Sequence, residues 1–344
     1  MVSGQPKLAQ GGTGLSATPQ IALVGCGYWG KNLCRNFHAL GALKSVVDAT
    51  EKGQATALSI APDPEITDNL DDVLRNDQIQ GVGLATPAET HSDLAIQAMQ
   101  AGKDVFVEKP MALTLEDAEK MKKVAEETGR ILMVGHLLEY HPAVLKLREM
   151  IASGELGKIN YIYSNRLNFG KVRTEENALW SFAPHDVAVL LRLMGQDPVE
   201  VSACGGSYLT NGIADTTLSN LRFENESRAH IFVSWLHPFK EQRLVVVGDK
   251  KMAIFNDVVP FGEKLQLYPQ NVEFDGAMPL LKKEDAEFVN HANTEPLREE
   301  CKHFLECIQS RKQPLTNAQS GIDVLKVLHA CQQSIEQNGV PVSI

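Results

Sequence analysis

Two short stretches of this sequence carry residues able to move a hydride and a proton: Glu108-Lys109-Pro110 and Pro184-His185-Asp186. An ammonium at Lys109 can hold a substrate hydroxyl and stabilise the alkoxide that develops as hydride leaves the same carbon. An imidazole at His185 can take the hydroxyl proton, provided that it is neutral. Pro184 predicts that a helix opens there, with His185 in its first turn, where the helix dipole lowers imidazole pKa. Each residue also has a plainer reading: Lys109 as a surface lysine paired with Glu108, and His185 as a histidine that caps a helix end. Asp186 either orients the ring or complements the helix N-terminus. A third group comprises Arg166, Asn168, Lys171 and Arg173, followed by Trp180 and, past Trp235, by His237. Guanidinium and ammonium groups pair with phosphate oxygens, so this group suits a phosphorylated or nucleotide-linked sugar. Solvated surface charge is the alternative. His136, Glu139 and His141 resemble a metal cluster, but HLLEYH lacks the H-E-x-x-H spacing, and no metal is expected.

Hydride transfer needs an acceptor, and the stretch from Gln20 to Asp48 supplies a place for one. The apolar run Ile21 to Val24 leads into Gly25, Gly27 and Gly30 at G-x-G-x-x-G spacing, with Tyr28 and Trp29 between them, and a helix-forming segment follows. Gly25 permits a tight turn, Gly27 a close approach by a pyrophosphate, and Gly30 close packing of helix on strand. Asp48 ends the next apolar run about 20 residues on, where a carboxylate accepts hydrogen bonds from ribose. The same carboxylate would repel a 2′-phosphate and no arginine follows it, so the expected cofactor is NAD rather than NADP.

The elements that must position these groups alternate between strand and helix as far as Ile131 to Val134, the signature of a parallel sheet covered on both faces. Thr86 and Pro87 follow one of these strands, Gly81 to Ala85, and His91 lies in the helix after them. Lys109 falls just past the C-terminal end of the strand Asp104 to Val107, where open α/β sheets bind ligands. Beyond it come a helix from Pro142 to Ala152, a strand from Lys158 to Asn165, an irregular polar segment and the helix at Pro184. Successive strand-like runs from Val199 to Tyr268 then imply an antiparallel sheet, and two amphipathic helices, Pro296 to Gln309 and Ala318 to Gln337, close the chain. The expected fold class is α/β: a Rossmann dinucleotide-binding domain over 20–137 and an α+β domain with a large, mostly antiparallel open sheet over 138–344, for substrate binding and oligomerisation. Residues 1–19 are expected to form a flexible leader. A formal charge of -10 argues against nucleic-acid or membrane-surface partners. Six scattered cysteines and the lack of a signal sequence or of a long apolar run point to a soluble, cytoplasmic protein. An open sheet needs cover, which predicts a homodimer or homotetramer.

At these motifs the sequence resembles the glucose-fructose oxidoreductase/inositol dehydrogenase (Gfo/Idh/MocA) family. The resemblance rests on Gly25-Cys26-Gly27-Tyr28-Trp29-Gly30, Thr86-Pro87 with His91, Glu108-Lys109-Pro110 and Pro184-His185-Asp186, and spans nearly everything after Gln20. It implies that Lys109 assists proton transfer, that His185 is the acid/base, and that the Thr86-Pro87 loop lies along the cofactor together with His91, Glu108 and Lys109. Many relatives carry an aspartate four residues before the histidine. This chain has Ser181, which speaks against a sugar alcohol such as inositol. The segments Arg166 to Arg173 and Glu176 to Asp186 are similar to the nucleotide-sugar branch, which implies oxidation of the C3 hydroxyl of UDP-N-acetylglucosamine or its uronic acid to a 3-keto sugar for later amination. The alternatives are a nucleotide-sugar 3-ketoreductase or another sugar dehydrogenase of the family, and a non-catalytic regulator that binds NAD and sugar.

Overall fold

The computed structural model describes residues 18–344, so most of the expected leader lies outside the described residues. The first sheet comprises β1 (Ile21–Val24), β2 (Leu43–Val47), β3 (Glu65–Thr67), β4 (Gly81–Leu84), β5 (Asp104–Glu108) and β6 (Leu132–Gly135). Its spatial order is β3-β2-β1-β4-β5-β6, with every neighbouring pair parallel. Helices α1 (Gly30–Ala39), α2 (Glu51–Ile60), α3 (Leu70–Leu74), α4 (His91–Gln100) and α5 (Leu115–Thr128) connect the strands. Strands β1, β4, β5 and β6 are buried along their whole length, as a sheet covered on both faces requires. Local chemistry sets the helix ends. Thr114 accepts a hydrogen bond from Asp117 N–H to start α5, and Gly129 ends it in the left-handed conformation at φ 64°. Chain order reverses between β1 and β4, which opens a crevice at their C-terminal ends.

After α6 (Pro142–Ala152) the chain enters a nine-stranded sheet. Its members are β7 (Ile159–Phe169), β8 (Glu200–Gly206), β9 (Thr216–Arg222), β10 (Arg228–Ser234), β11 (Leu236–Gly248), β12 (Met252–Asn256), β13 (Leu265–Tyr268), β16 (Glu287–Phe288) and β17 (Val342–Ser343). All its pairs are antiparallel except β7 with β10. A separate hairpin, β14 (Asn271–Asp275) with β15 (Met278–Lys282), precedes β16. One face of the large sheet carries α7 (Ala178–Met194) and α9 (Ala318–Glu336). Helix α8 (Pro296–Ser310) returns to the first sheet, where Phe304 packs edge-on against Phe106 of β5 and Phe37 of α1 at 5.8 and 6.4 Å. Helix α9 packs against α5 and β6 as well as α7 and β8, so the last helix fastens the two sheets together.

The helix at Pro184 departs from the sequence expectation. It starts at Ala178, capped by Asn177, whose side chain accepts from Trp180 N–H, and Pro184 lies inside it. Asn177 supplies a sufficient start signal, and burial of most of the helix stabilises it despite the backbone donor that Pro184 lacks. His185 is therefore about two turns in, beyond the reach of the helix dipole, which fades within the first turn. Strand β7 is also longer than expected and carries Arg166 and Asn168 in extended backbone.

Candidate active site

The Gly-rich turn between β1 and α1 has the geometry of a dinucleotide site. Gly25 sits at φ 89°, where an added Cβ would lie 2.8 Å from the Ala85 carbonyl oxygen. At Gly30 a Cβ would lie 2.1 Å from the Gly25 carbonyl oxygen, so only glycine lets α1 pack there. At Gly27 a Cβ would meet nothing within 4 Å, which leaves the space that a pyrophosphate would take. Helix α1 has no side-chain cap and no acidic residue in its first turn, so neither a cap nor a like charge opposes an anion at its start, although Lys31 N–H and Asn32 N–H already donate to the Gly27 and Trp29 carbonyls. Tyr28 is exposed, with the Lys31 ammonium over its ring, while Trp29 turns inward. Asp48 accepts hydrogen bonds from Cys26 N–H (2.7 Å), Thr50 N–H (2.9 Å) and the Thr50 hydroxyl (2.7 Å). Burial raises its pKa, but these bonds outweigh burial and leave the carboxyl below its usual range. The residues present fit NAD.

Trp29 links this turn to the chemistry by donating its indole N–H to Glu108 at the end of β5. Burial drives the Glu108 carboxyl up to about 7, against the opposing pull of Trp29 and Lys109. Lys109 follows, its Nζ 3.4 Å from the Ser181 carbonyl oxygen of α7. Burial lowers the Lys109 pKa; Glu108 and Glu176 oppose this, and Arg173 and Arg166 add to it. His91 ties the β4 and β5 loops together, with Nδ1 2.9 Å from the Pro110 carbonyl oxygen and Nε2 3.0 Å from that of Thr86. It is buried, which lowers its pKa, and a neutral ring donates to one of these two carbonyls at a time.

His185 reaches the same place from α7. Burial holds its pKa well below the ordinary histidine value, and the charges of Lys109 and Arg166 push it further down. The neutral ring expected from a helix dipole thus arises from burial and neighbouring cations. Asp186 neither orients that ring nor serves the helix N-terminus. It accepts two hydrogen bonds from Arg166, at 2.6 and 3.2 Å, and one from Ser164 at 2.6 Å, with Arg166 and Asp186 both largely buried. Adjacent helical positions point about 100° apart, which separates the roles of 185 and 186. On the same face of β7 as Ser164 and Arg166, Asn168 keeps a buried side-chain oxygen without a partner.

The remaining expected substrate residues are only partly gathered here. Arg173 lies close enough to influence Lys109 and pairs with Glu175 and Glu176 at 3.3 and 3.0 Å. Lys171 is exposed and makes no hydrogen bond or ion pair among the described residues. His237 is half-buried at the same end of the sheet, since Leu236 pairs with Phe169, and its Nδ1 faces the Phe239 carbonyl. Trp180 turns the other way, onto α9, where its indole N–H donates to Gln332 (3.3 Å) and its ring meets His329. The three residues of HLLEYH separate as well: Glu139 pairs with Arg192 at 2.6 Å, His141 caps α6, and His136 lies beside the candidate site. His136 is a buried neighbour of Lys109 that motif reasoning did not assign to the site. Its signal was its place directly after a strand that neighbours the lysine-bearing one.

Residues 20–136 match the Gfo/Idh/MocA "Oxidoreductase family, NAD-binding Rossmann fold", and residues 144–254 match the "GFO/IDH/MocA C-terminal domain". A 2,7-anhydro-N-acetylneuraminate hydratase of Mediterraneibacter gnavus is 29% identical over 266 residues, covering 73% of this chain and 70% of that protein. A UDP-N-acetylglucosamine 3-dehydrogenase of Acidithiobacillus ferrooxidans is 25% identical over 318 residues, covering 92% and 97%. A solved structure of UDP-N-acetylglucosamine 3-dehydrogenase from that organism shares the fold, with a TM-score of 0.81, 24% identity and the same coverage. With the NAD cradle at β1 and the lysine at the end of β5, these matches show that the chain belongs to the Gfo/Idh/MocA family of NAD-dependent oxidoreductases.

Proposed function

We propose that this protein oxidises the C3 hydroxyl of a UDP-2-acetamido sugar, UDP-N-acetylglucosamine or its uronic acid, to the 3-keto sugar. The observation that carries this reading is the meeting of Lys109 and a neutral His185 at the crevice beside the NAD cradle. His185 takes the hydroxyl proton, and Lys109 holds the oxygen as negative charge develops on it. Bound NAD would supply the hydride acceptor. Lys171, exposed and unpaired among the described residues, is a cation available to a diphosphate, whereas Arg166 is held by Asp186 and Arg173 by Glu175 and Glu176. The unpartnered Asn168 side-chain oxygen suits a donor such as an acetamido N–H or a sugar hydroxyl. The choice of a nucleotide sugar is supported by the resemblance of nearly the whole chain to the Acidithiobacillus 3-dehydrogenase.

The uncovered face of the large sheet carries Tyr161, Tyr163 stacked on His230 at 5.1 Å, and Leu218. A second copy of the chain is the occupant proposed for this mixed apolar and polar face, giving a homodimer or homotetramer. The activity is tested by following nicotinamide reduction with NAD and each sugar offered separately, with and without 2-oxoglutarate. NADH formed with one sugar, or keto sugar formed only with the oxo acid, supports the reading. Measurable NAD binding with no product from either sugar refutes it.

A further inference from the structure

Strands β5 and β6 pair in register Glu108 with Gly135, so the next residues along, Lys109 and His136, stand side by side at the mouth of the crevice. His136 is 2% exposed, and neither of its ring nitrogens has a hydrogen-bond partner. His185 has a buried, unpartnered Nδ1 as well. Two neighbouring imidazoles that each lack a partner are costly in a folded interior, where buried polar groups are nearly always satisfied. They are also complementary, because a neutral imidazole has one donor and one acceptor nitrogen. Position 181, one helical turn before His185, is a serine, so no carboxylate stands there to take the His185 Nδ1–H.

From this placement we infer that His136 is the positioning residue for His185: a His136 ring nitrogen accepts a hydrogen bond from His185 Nδ1–H, directly or through one water, and so fixes Nε2 as the nitrogen that receives the substrate proton. The inference rests on the role of His185 proposed above. The balance is simple: the substrate O–H breaks, its proton bonds to His185 Nε2, and the Nδ1–H bond to His136 stays intact, so no further reactant is needed. His136 remains neutral throughout, since burial and the charges of Lys109 and Arg192 depress its pKa to about 3. The groups facing the pair are Lys109 after β5, Arg166 on β7 and Arg192 on α7, with Asp186 holding Arg166 and Glu139 holding Arg192. A neutral acceptor stabilises imidazolium less than an aspartate does, which keeps His185 a base at neutral pH.

The test uses the full-length protein with nitrogen-15-labelled histidine, in which the His185 signals are identified by their loss in His185→Gln. The expected result is a fixed Nδ1–H tautomer at His185 in the wild type and tautomer averaging in His136→Phe. With the active substrate, His136→Phe should lower kcat by about 10–100-fold, the usual cost of losing an orienting partner, and shift the acid limb of the kcat profile downwards. NAD affinity should be unchanged, and His136→Asn or His136→Gln, which restores an acceptor, should recover part of the rate. An unchanged His185 tautomer and acid limb in a folded His136→Phe protein would overturn the inference. If no sugar is turned over yet the tautomer depends on His136, the proposed activity fails while the positioning stands. Should His136→Phe not fold, the two amide variants carry the same measurements.

Discussion

Gly27 and Gly30 sit three residues apart in the same turn, and the structure gives them opposite sensitivities to one added methyl group. At Gly30 the Cβ would lie 2.1 Å from a backbone oxygen, so something rigid must move. Overpacking of this kind costs about 1–3 kcal/mol, and Gly30→Ala should lower Tm by several degrees. At Gly27 the Cβ would meet nothing within 4 Å. Gly27→Ala should leave the NAD-free Tm unchanged or raise it, because a compatible Gly→Ala change stabilises by about 0.4–1 kcal/mol through the unfolded chain. The same methyl would intrude where a pyrophosphate approaches, which should weaken NAD binding by about 10–100-fold, or ~1.4–2.8 kcal/mol. The assay is a thermal melt with and without NAD, alongside calorimetric titration. At an NAD concentration about 100 times the wild-type Kd, the wild type gains ~2.7 kcal/mol. A variant with a 100-fold higher Kd gains only ~0.4 kcal/mol. If Gly27→Ala were stabilised by NAD as strongly as the wild type, the pyrophosphate would lie elsewhere and the assignment of the turn would fail. A Gly30→Ala protein that melted like the wild type would refute the packing argument.

Four further outcomes are expected. The catalytic acid limb should lie well below pH 6.5: the His185 pKa is lowered in the folded protein, so the ring stays neutral as pH falls until that lower value is reached, and a kcat profile with a limb near or above 6.5 would count against His185 as the base. His185→Gln and Lys109→Ala should each cost 10²-fold or more in kcat while NAD binding is retained. Asp186→Ala should destabilise the fold by about 3–5 kcal/mol, because it leaves the largely buried Arg166 guanidinium unpaired; urea denaturation measures this, and a loss within 0.5 kcal/mol would show that the pair is dispensable. Leu218→Arg on the open sheet face should shift light scattering to a lower mass without loss of secondary structure, and an unchanged mass would move the interface elsewhere.

The parts of the site legible in the sequence are those set by local chain chemistry. The three glycines, the apolar strand before them and the acid at the end of β2 announce a cofactor turn, because each role depends on a backbone shape that few residues permit. The parts that were not legible depend on what the chain meets from far away. Asp186 looked like a partner for the neighbouring histidine, yet its partners come from β7, twenty and twenty-two positions back. Trp180 read as a pocket aromatic, and a glutamine on α9, 152 residues on, takes its indole N–H. Pro184 read as a helix start because the rule for proline at a first turn is sound on its own, but Asn177 had already started the helix and packing carried it through the defect. The neutral state of His185 was anticipated while its cause was not. A helix dipole is a local property visible in sequence, whereas burial beside Lys109 and Arg166 is a property of the assembled fold. His136 is the clearest instance: its meaning comes from the pairing of β6 with β5, which sets it next to Lys109 across 27 residues of chain, and only the register of the sheet makes the two side chains neighbours.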